Sequence, residues 1–212
     1  MTSPYDKLPK AKWAAKTQRL VESYPLDMDE LVEIVHLSWD AIFHSRIGKK
    51  GFRMGQDIFP QPQILAFFLH ELIPLELQTR YPGVWRREEV AADKDVVYIP
   101  DESFSMEIKT SSHPSQIFGN RSYAQEGGAN KKKSKSGYYL AVNFEKLTKT
   151  TPAPKLRRIR FGWLDHADWQ GQAAATGQQA RLSSEVERDC WRRLNIDHLC
   201  RLNIDQGRDA VH

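Results

Sequence analysis

KDVVYIPDESFSMEIKTSS, residues 94–112, is the stretch that decides how this chain is read. Its second half alternates as a strand: Phe104, Met106 and Ile108 project to one face, and Ser105, Glu107 and Lys109 to the other. Charged side chains on a buried central strand need partners. A divalent cation and a phosphate would supply them. Asp95 to Ile99 is rich in β-formers and reads as the preceding strand, with Pro100-Asp101-Glu102-Ser103 as the turn between the two. An even pairing register sets Asp95 on the same face as Glu107, and an odd one sends it to the opposite face; the sequence leaves both open.

Mg²⁺ takes hard oxygen ligands, typically one or two carboxylates plus waters and phosphate oxygens. Asp95 and Glu107 suit that role, with the Ile108 carbonyl as a further ligand. Lys109 would then face the attacking water, orienting or deprotonating it, or offsetting charge in the transition state. Two other first acids remain candidates. Asp101 forms the literal Pro-Asp pair, with five residues between it and Glu107 but inside the turn, and Asp93 serves if the hairpin is longer. Glu71, among Phe67, Phe68, Leu72 and Ile73 on a helix before the sheet, is a further candidate for the catalytic cluster, against the alternative of a solvated helix edge. His70 is a weaker candidate than Glu71.

Working outward, Lys10 to Ser23 reads as a first helix. A second starts at Asp27, a capping residue followed by Asp29 and Glu30 at the positive end of the dipole, and ends before Gly48. Residues 48–60 read as a mobile basic loop. A third helix begins near Pro62 and is expected to stop or kink at Pro74, with Leu75 to Gln78 as a possible continuation. Strands are expected at 84–87, 95–99, 104–110, 138–144 and 156–164, with a long polar segment over 111–136. Ser183 to Leu194 reads as a helix, with Val186, Cys190 and Leu194 along one stripe. Helices, then a β-meander, then a helix point to an α/β or α+β fold with a mixed central sheet. One domain is expected over 1–212: a mainly helical part at 1–80, the sheet at 84–165 and a helical part at 166–212. RLNID at 193–197 recurs at 201–205, one echo only, too little for a repeat architecture.

Composition excludes several classes. Hydrophobic residues make up 40% and charged residues 27%, an ordinary globular balance. No apolar run reaches the ~20 residues of a membrane span. The N-terminus lacks an apolar signal core, so a cytoplasmic protein is expected. Cys190 and Cys200, with His198 nearby, fall short of the four ligands of a structural zinc site and read as reduced thiols. The net charge is only +4, but residues 131–160 hold ten Lys and Arg against one acid, Glu145. Such a concentration suits a polyanion, or is simply a solvated basic face.

Asp95, eleven residues, then Glu107-Ile108-Lys109 on a hairpin resembles the PD-(D/E)xK nuclease signature. The phrases IKTSS at 108–112, FGNRSYA at 118–124 and FGWLDHADW at 161–169 are similar to the ScaI-type group of type II restriction endonucleases. The resemblance implies a restriction-endonuclease-like mixed sheet flanked by helices. It also implies Mg²⁺-dependent hydrolysis of double-stranded DNA at a short, usually palindromic site, often by a homodimer. A repair or junction-resolving nuclease of the same fold, or a DNA-binding protein without catalysis, are the alternatives.

Candidates for DNA contact follow from side-chain chemistry. Ser111, Ser112 and Gln116 leave the catalytic strand with groups suited to phosphates or base edges. Asn120 and Arg121 match the amide and guanidinium patterns that read adenine and guanine. Lys131, Lys132, Lys133 and Lys135 suit phosphates. Gln170, Gln172, Gln178, Gln179 and Arg181 form an amide-rich stretch that reaches a groove or is a linker. Asp165, His166 and Asp168 read as a cap or turn rather than a second metal site.

Overall fold

The computed structural model describes residues 3–124, 134–173 and 177–196. Three helices come first: α1 (Trp13–Glu22), α2 (Met28–His44) and α3 (Pro62–Arg80). Asp27 caps α2, its carboxylate accepting from the backbone N–H groups of Asp29 and Glu30. Leu31, Val32, Ile34, Val35, Trp39 and Ile42 then bury one broad face. Residues 48–60 are a series of tight turns pinned by an Ile47–Phe52 bridge and by buried Met54.

α3 does not end at Pro74, although a proline there removes the N–H that would bond the His70 carbonyl. Packing explains the continuation. Ile73, Pro74 and Leu77 are buried, and the Arg80 guanidinium beyond them bonds Glu30 and Glu33 of α2 as well as Glu76 of its own helix. The last turn is therefore tied to its neighbour more strongly than the proline disfavours it.

The central sheet contains β1 (Trp85–Arg87), β2 (Val96–Tyr98), β3 (Met106–Ser111), β5 (Gly137–Phe144), β6 (Leu156–Leu164) and β9 (Trp191–Arg193), in that spatial order. A second sheet holds β4 (Phe118–Asn120), β8 (Gln179–Leu182) and β7 (Trp169–Gly171). The fold is mixed α/β, as the pattern of elements led one to expect, but the sheet is not a simple meander. β3 and β5 run parallel, whereas β1–β2, β2–β3, β5–β6 and β6–β9 are antiparallel. A parallel pair requires a crossover connection. The polar segment after β3 is that crossover, and it carries β4 and a 3-10 turn, Arg121–Ala124.

Alternation along β3, β5 and β6 divides the sheet's two faces. On one, Phe104 and Tyr138 stack, Tyr138 stacks on Phe161, and Tyr24 of the α1–α2 connection packs against all three. Trp39 of α2 meets Phe144 on this face. On the other, Glu107, Lys109 and Tyr139 face the small sheet, whose Trp169 packs on Tyr139.

The part after residue 165 differs from the expected helical end. Among the described residues only α4 (Ser184–Asp189) is α-helical there; the other elements are a 3-10 turn, His166–Asp168, and the strands β7, β8 and β9. Val186, Cys190 and Leu194 fit a helical stripe, yet the chain extends after Cys190 and pairs Trp191 with Gly162. The edge of β6 is open, and Gly162 permits the approach: a Cβ there would lie 2.0 Å from the Cys190 carbonyl oxygen. Tertiary pairing overrides the local spacing. Cys190 is buried, and burial pushes its thiol up to about 12, so it is an unreactive thiol of the core. Cys200, His198 and the second RLNID phrase lie outside the described residues.

Candidate active site

Register builds the site. Val96 stands opposite Met106 in the antiparallel β2–β3 pair, which puts the preceding Asp95 opposite Glu107, on the same face. This is the even register left open by the sequence. One Asp95 oxygen, Oδ2, accepts from the Ile108 backbone N–H at 2.7 Å, so the carboxylate is anchored to β3 itself. Glu107 is almost completely buried and Lys109 nearly so; Lys109 Nζ lies 2.9 Å from Glu107 Oε1. Asp95, Glu107 and Lys109 thus share one cleft.

The other first-acid candidates are engaged elsewhere. Asp93 bonds the Arg86 guanidinium and the backbone N–H groups of Glu89 and Val90, and the Arg86 contact holds its carboxyl down at about 2. Asp101 is exposed on the hairpin turn, where it caps the 3-10 turn Glu102–Phe104. Glu71 lies beside the cleft, on a small pocket shared with His70, Arg87, Glu88 and Asp95, but its carboxylate is paired with Arg87 at 2.8 Å. Its neighbour His70 is closer to the acids, with Nδ1 3.5 Å from Asp95 Oδ2.

The sequence reading missed Tyr123. Its hydroxyl donates to Glu107 Oε1 at 2.5 Å, and Lys109 Nζ stands 4.6 Å from the centre of its ring. Burial, and then the charge of Glu107, keep the Tyr123 hydroxyl protonated far above the ordinary phenol range. The residue lies twelve positions beyond the end of β3, in a segment with no periodic pattern, and only its place in the FGNRSYA phrase marked it. Tyr139, opposite Glu107 across the β3–β5 pair, is raised in the same way, and its hydroxyl donates to the Lys135 carbonyl. Lys135 reaches the Tyr123 ring at 5.6 Å, so it belongs to the cleft and not to a remote basic face. Lys131, Lys132 and Lys133 lie outside the described residues.

A groove of about 860 Å³ opens beside the site, lined by Gln63 and Ala66 of α3, Thr110 to Pro114, the Thr148–Thr151 turn, Lys146, Arg157 and Gln179. Asp95, Glu107 and Lys109 do not line it; its wall residue Ala66 precedes His70 on α3 by one helical turn. Ser111 and Ser112 line it. Gln116 is exposed outside it, with its backbone carbonyl held by the Asn143 amide. Asn120 is exposed at the end of β4. Arg121 is half-buried, and its guanidinium donates to the Gly177 carbonyl while its backbone N–H donates to that of Gln178. Gln170, Gln179 and Arg181 lie on the β7–β8 pair and are not a linker. Asp165 and Asp168 form a capping box around a 3-10 turn, the structural role expected of them.

The described part of the basic run, 134–160, is not one surface. Arg160 is buried under Trp191, bonded to Glu187 and, at 3.0 Å, to Asn143; Asn143 in turn holds the carbonyls of His113 and Gln116. Arg157 pairs with Glu145 on the groove wall.

Among the described residues no group of three or more His, Cys, Asp or Glu gathers around a point. Two adjacent carboxylates of this kind match a hard dication that completes its shell with water and substrate oxygens, and do not match an all-protein zinc site. Among the described residues no helix is long and apolar enough to cross a membrane.

Comparison with known proteins gives two matches. The family model described as ScaI restriction endonuclease matches residues 3–192. The type II restriction enzyme ScaI of Streptomyces caespitosus is 48% identical over 185 residues, covering 87% of this chain and 81% of the relative.

Proposed function

The chain belongs to the ScaI restriction endonuclease family, and is thus a type II restriction endonuclease acting on double-stranded DNA; from that premise we propose that it cuts a short palindromic site in a Mg²⁺-dependent reaction at Asp95, Glu107 and Lys109. The observation that carries this reading is the β2–β3 register, which sets two acids side by side with an amine 2.9 Å from one of them. Asp95, Glu107 and the Ile108 carbonyl would hold the cation. A bound dication there neutralises charge at the scissile phosphate and lowers the pKa of water near it.

The chain's own residues do the rest. Asp95, fixed by the Ile108 N–H, and Glu107, fixed by Lys109 and Tyr123, are oriented before substrate arrives, so little reorganisation is needed during reaction. Lys109 Nζ orients the attacking water and offsets charge on the pentavalent transition state. Glu71 acts from the rim of the cleft through its pair with Arg87. The groove walls contribute Ser111, Ser112, Lys146 and Arg157 as phosphate contacts. Asn120, Arg121 and Gln116 approach base edges, and Lys135, with Lys131, Lys132 and Lys133, adds positive charge toward the backbone. A homodimer presents two such sites to a two-fold symmetric target. The reading takes the chain as one endonuclease domain, supported by a single apolar core that includes Trp169, Ala180 and Leu182 of the small sheet.

Incubating the purified protein with plasmid DNA and Mg²⁺ tests the proposal. Discrete fragments are expected with Mg²⁺ and none with a chelator. A Glu107→Ala variant that still produced the fragments at the original rate would remove the basis for the assignment.

A further inference from the structure

We propose that Tyr123 is a positioning residue of the cleavage site, through which the small sheet is joined mechanically to the scissile chemistry. The proposal rests on the assignment of Asp95, Glu107 and Lys109 above. Glu107 Oε1 accepts two donors, the Tyr123 hydroxyl at 2.5 Å and Lys109 Nζ at 2.9 Å. They come from different elements: Lys109 from the same strand, Tyr123 from the crossover after β4. An ion pair between residues on one strand leaves the carboxylate free to turn with the lysine. A second donor from another direction fixes both, and a neutral hydroxyl does so while leaving the carboxylate charge available to a cation.

The Tyr123 ring is itself held by the small sheet. It packs on Trp169 of β7 with centroids 5.2 Å apart. Gly119 of β4 abuts both rings: a Cβ there would lie 3.2 Å from Tyr123 Cγ and 3.1 Å from Trp169 Cζ3. A side chain at 119 would push directly on the ring. The adjacent Asn120 and Arg121 are the candidates for reading bases. A shift of β4 as those residues meet DNA is transmitted within three residues to the hydroxyl on Glu107. The geometry thereby gives target recognition a route to the cation ligand and to Lys109. Hydrogen-bond partners of a ligating group typically change metal affinity or activity by ~10–100-fold when removed.

Full-length Tyr123→Phe keeps the ring, the Trp169 contact and the cation contacts, and deletes only the hydroxyl. Two readouts are compared with the unaltered protein: Mn²⁺ binding to the DNA-free protein, followed by electron paramagnetic resonance, and single-turnover cleavage of plasmid DNA against Mg²⁺ and DNA concentration. The expected result is Mn²⁺ affinity and saturated cleavage rate each lower by about tenfold, with DNA half-saturation and melting temperature unchanged. Tyr123→Leu serves as the packing control. Wild-type Mn²⁺ affinity and rate in Tyr123→Phe, with loss only in Tyr123→Leu, makes Tyr123 a packing residue and overturns the proposal. Glu107→Ala separates the two levels of inference. If that variant cleaves normally, the catalytic assignment itself fails. If it is inactive while Tyr123→Phe is unaffected, only the positioning role fails.

Discussion

Asp95→Asn should make the protein more stable without metal and less stable with it. In the antiparallel register Asp95 and Glu107 are directly opposed, with side chains only 12% and 4% exposed. Like charges at opposed positions have Cβ atoms ~5 Å apart. At an effective dielectric constant of ~20 the bare repulsion is about 3 kcal/mol. Lys109 beside Glu107 offsets part of it, and opposed like-charge pairs typically cost up to ~1 kcal/mol net. The substitution keeps the local structure, because the amide oxygen still accepts from the Ile108 N–H that now bonds Oδ2 at 2.7 Å. A gain of ~1 kcal/mol corresponds to about 2–4 °C in melting temperature for a chain of this size. Mg²⁺ should reverse the order. At one hundred times its dissociation constant a bound ion would stabilise the parent by ~2.7 kcal/mol, and the variant, with the proposed charged ligand removed, should gain much less. The assay is thermal melting of both proteins in chelator and across a Mg²⁺ series. A variant that melts below the parent in chelator, or gains as much from Mg²⁺ as the parent, refutes the reasoning.

Three further outcomes are expected. Lys109→Ala should retain site-specific DNA binding in a gel-shift assay and lose cleavage by ~10²–10⁴-fold; cutting at the parent rate would show that Lys109 takes no part. Arg160→Met should destabilise the fold by about 3 kcal/mol in urea denaturation, because it strands Glu187 and buried Asn143, whereas Arg160→Met combined with Glu187→Met should recover much of that loss. Burial raises the Asp168 carboxyl to about 6, so its neutral form is favoured in the fold; its contribution is present below the unfolded value of ~3.9 and lost as pH rises through about 6. Asp168→Asn, which can still accept from the Asp165 N–H, should therefore raise the melting temperature at pH ~8 and leave it nearly unchanged at pH ~4; an equal shift at both would exclude a titration effect.

The elements with strong local periodicity were readable in advance. Asp27 capping α2, the apolar stripe behind it and the alternation of β3 all follow from spacing alone, since each element turns one face to the large core. Glu107 and Lys109 were legible for the same reason: two charges on a strand whose other face is Met106 and Ile108 need an explanation in chemistry. Much else depended on contacts distant in the chain. Whether Asp95 faces Glu107 is settled by one pairing, Val96 with Met106, because a slip of one residue turns a side chain to the other side of a sheet. β4 finds its partner in β8 some sixty residues later, and β9 forms because Gly162 leaves room for the Cys190 carbonyl. Tyr123 reaches Glu107 only because the chain after β3 folds back over the face that carries Glu107 and Lys109. Local sequence thus determined which residues were equipped for the chemistry. Long-range pairing decided which of them meet, because register and crossover direction are properties of two distant segments and are written in neither one alone.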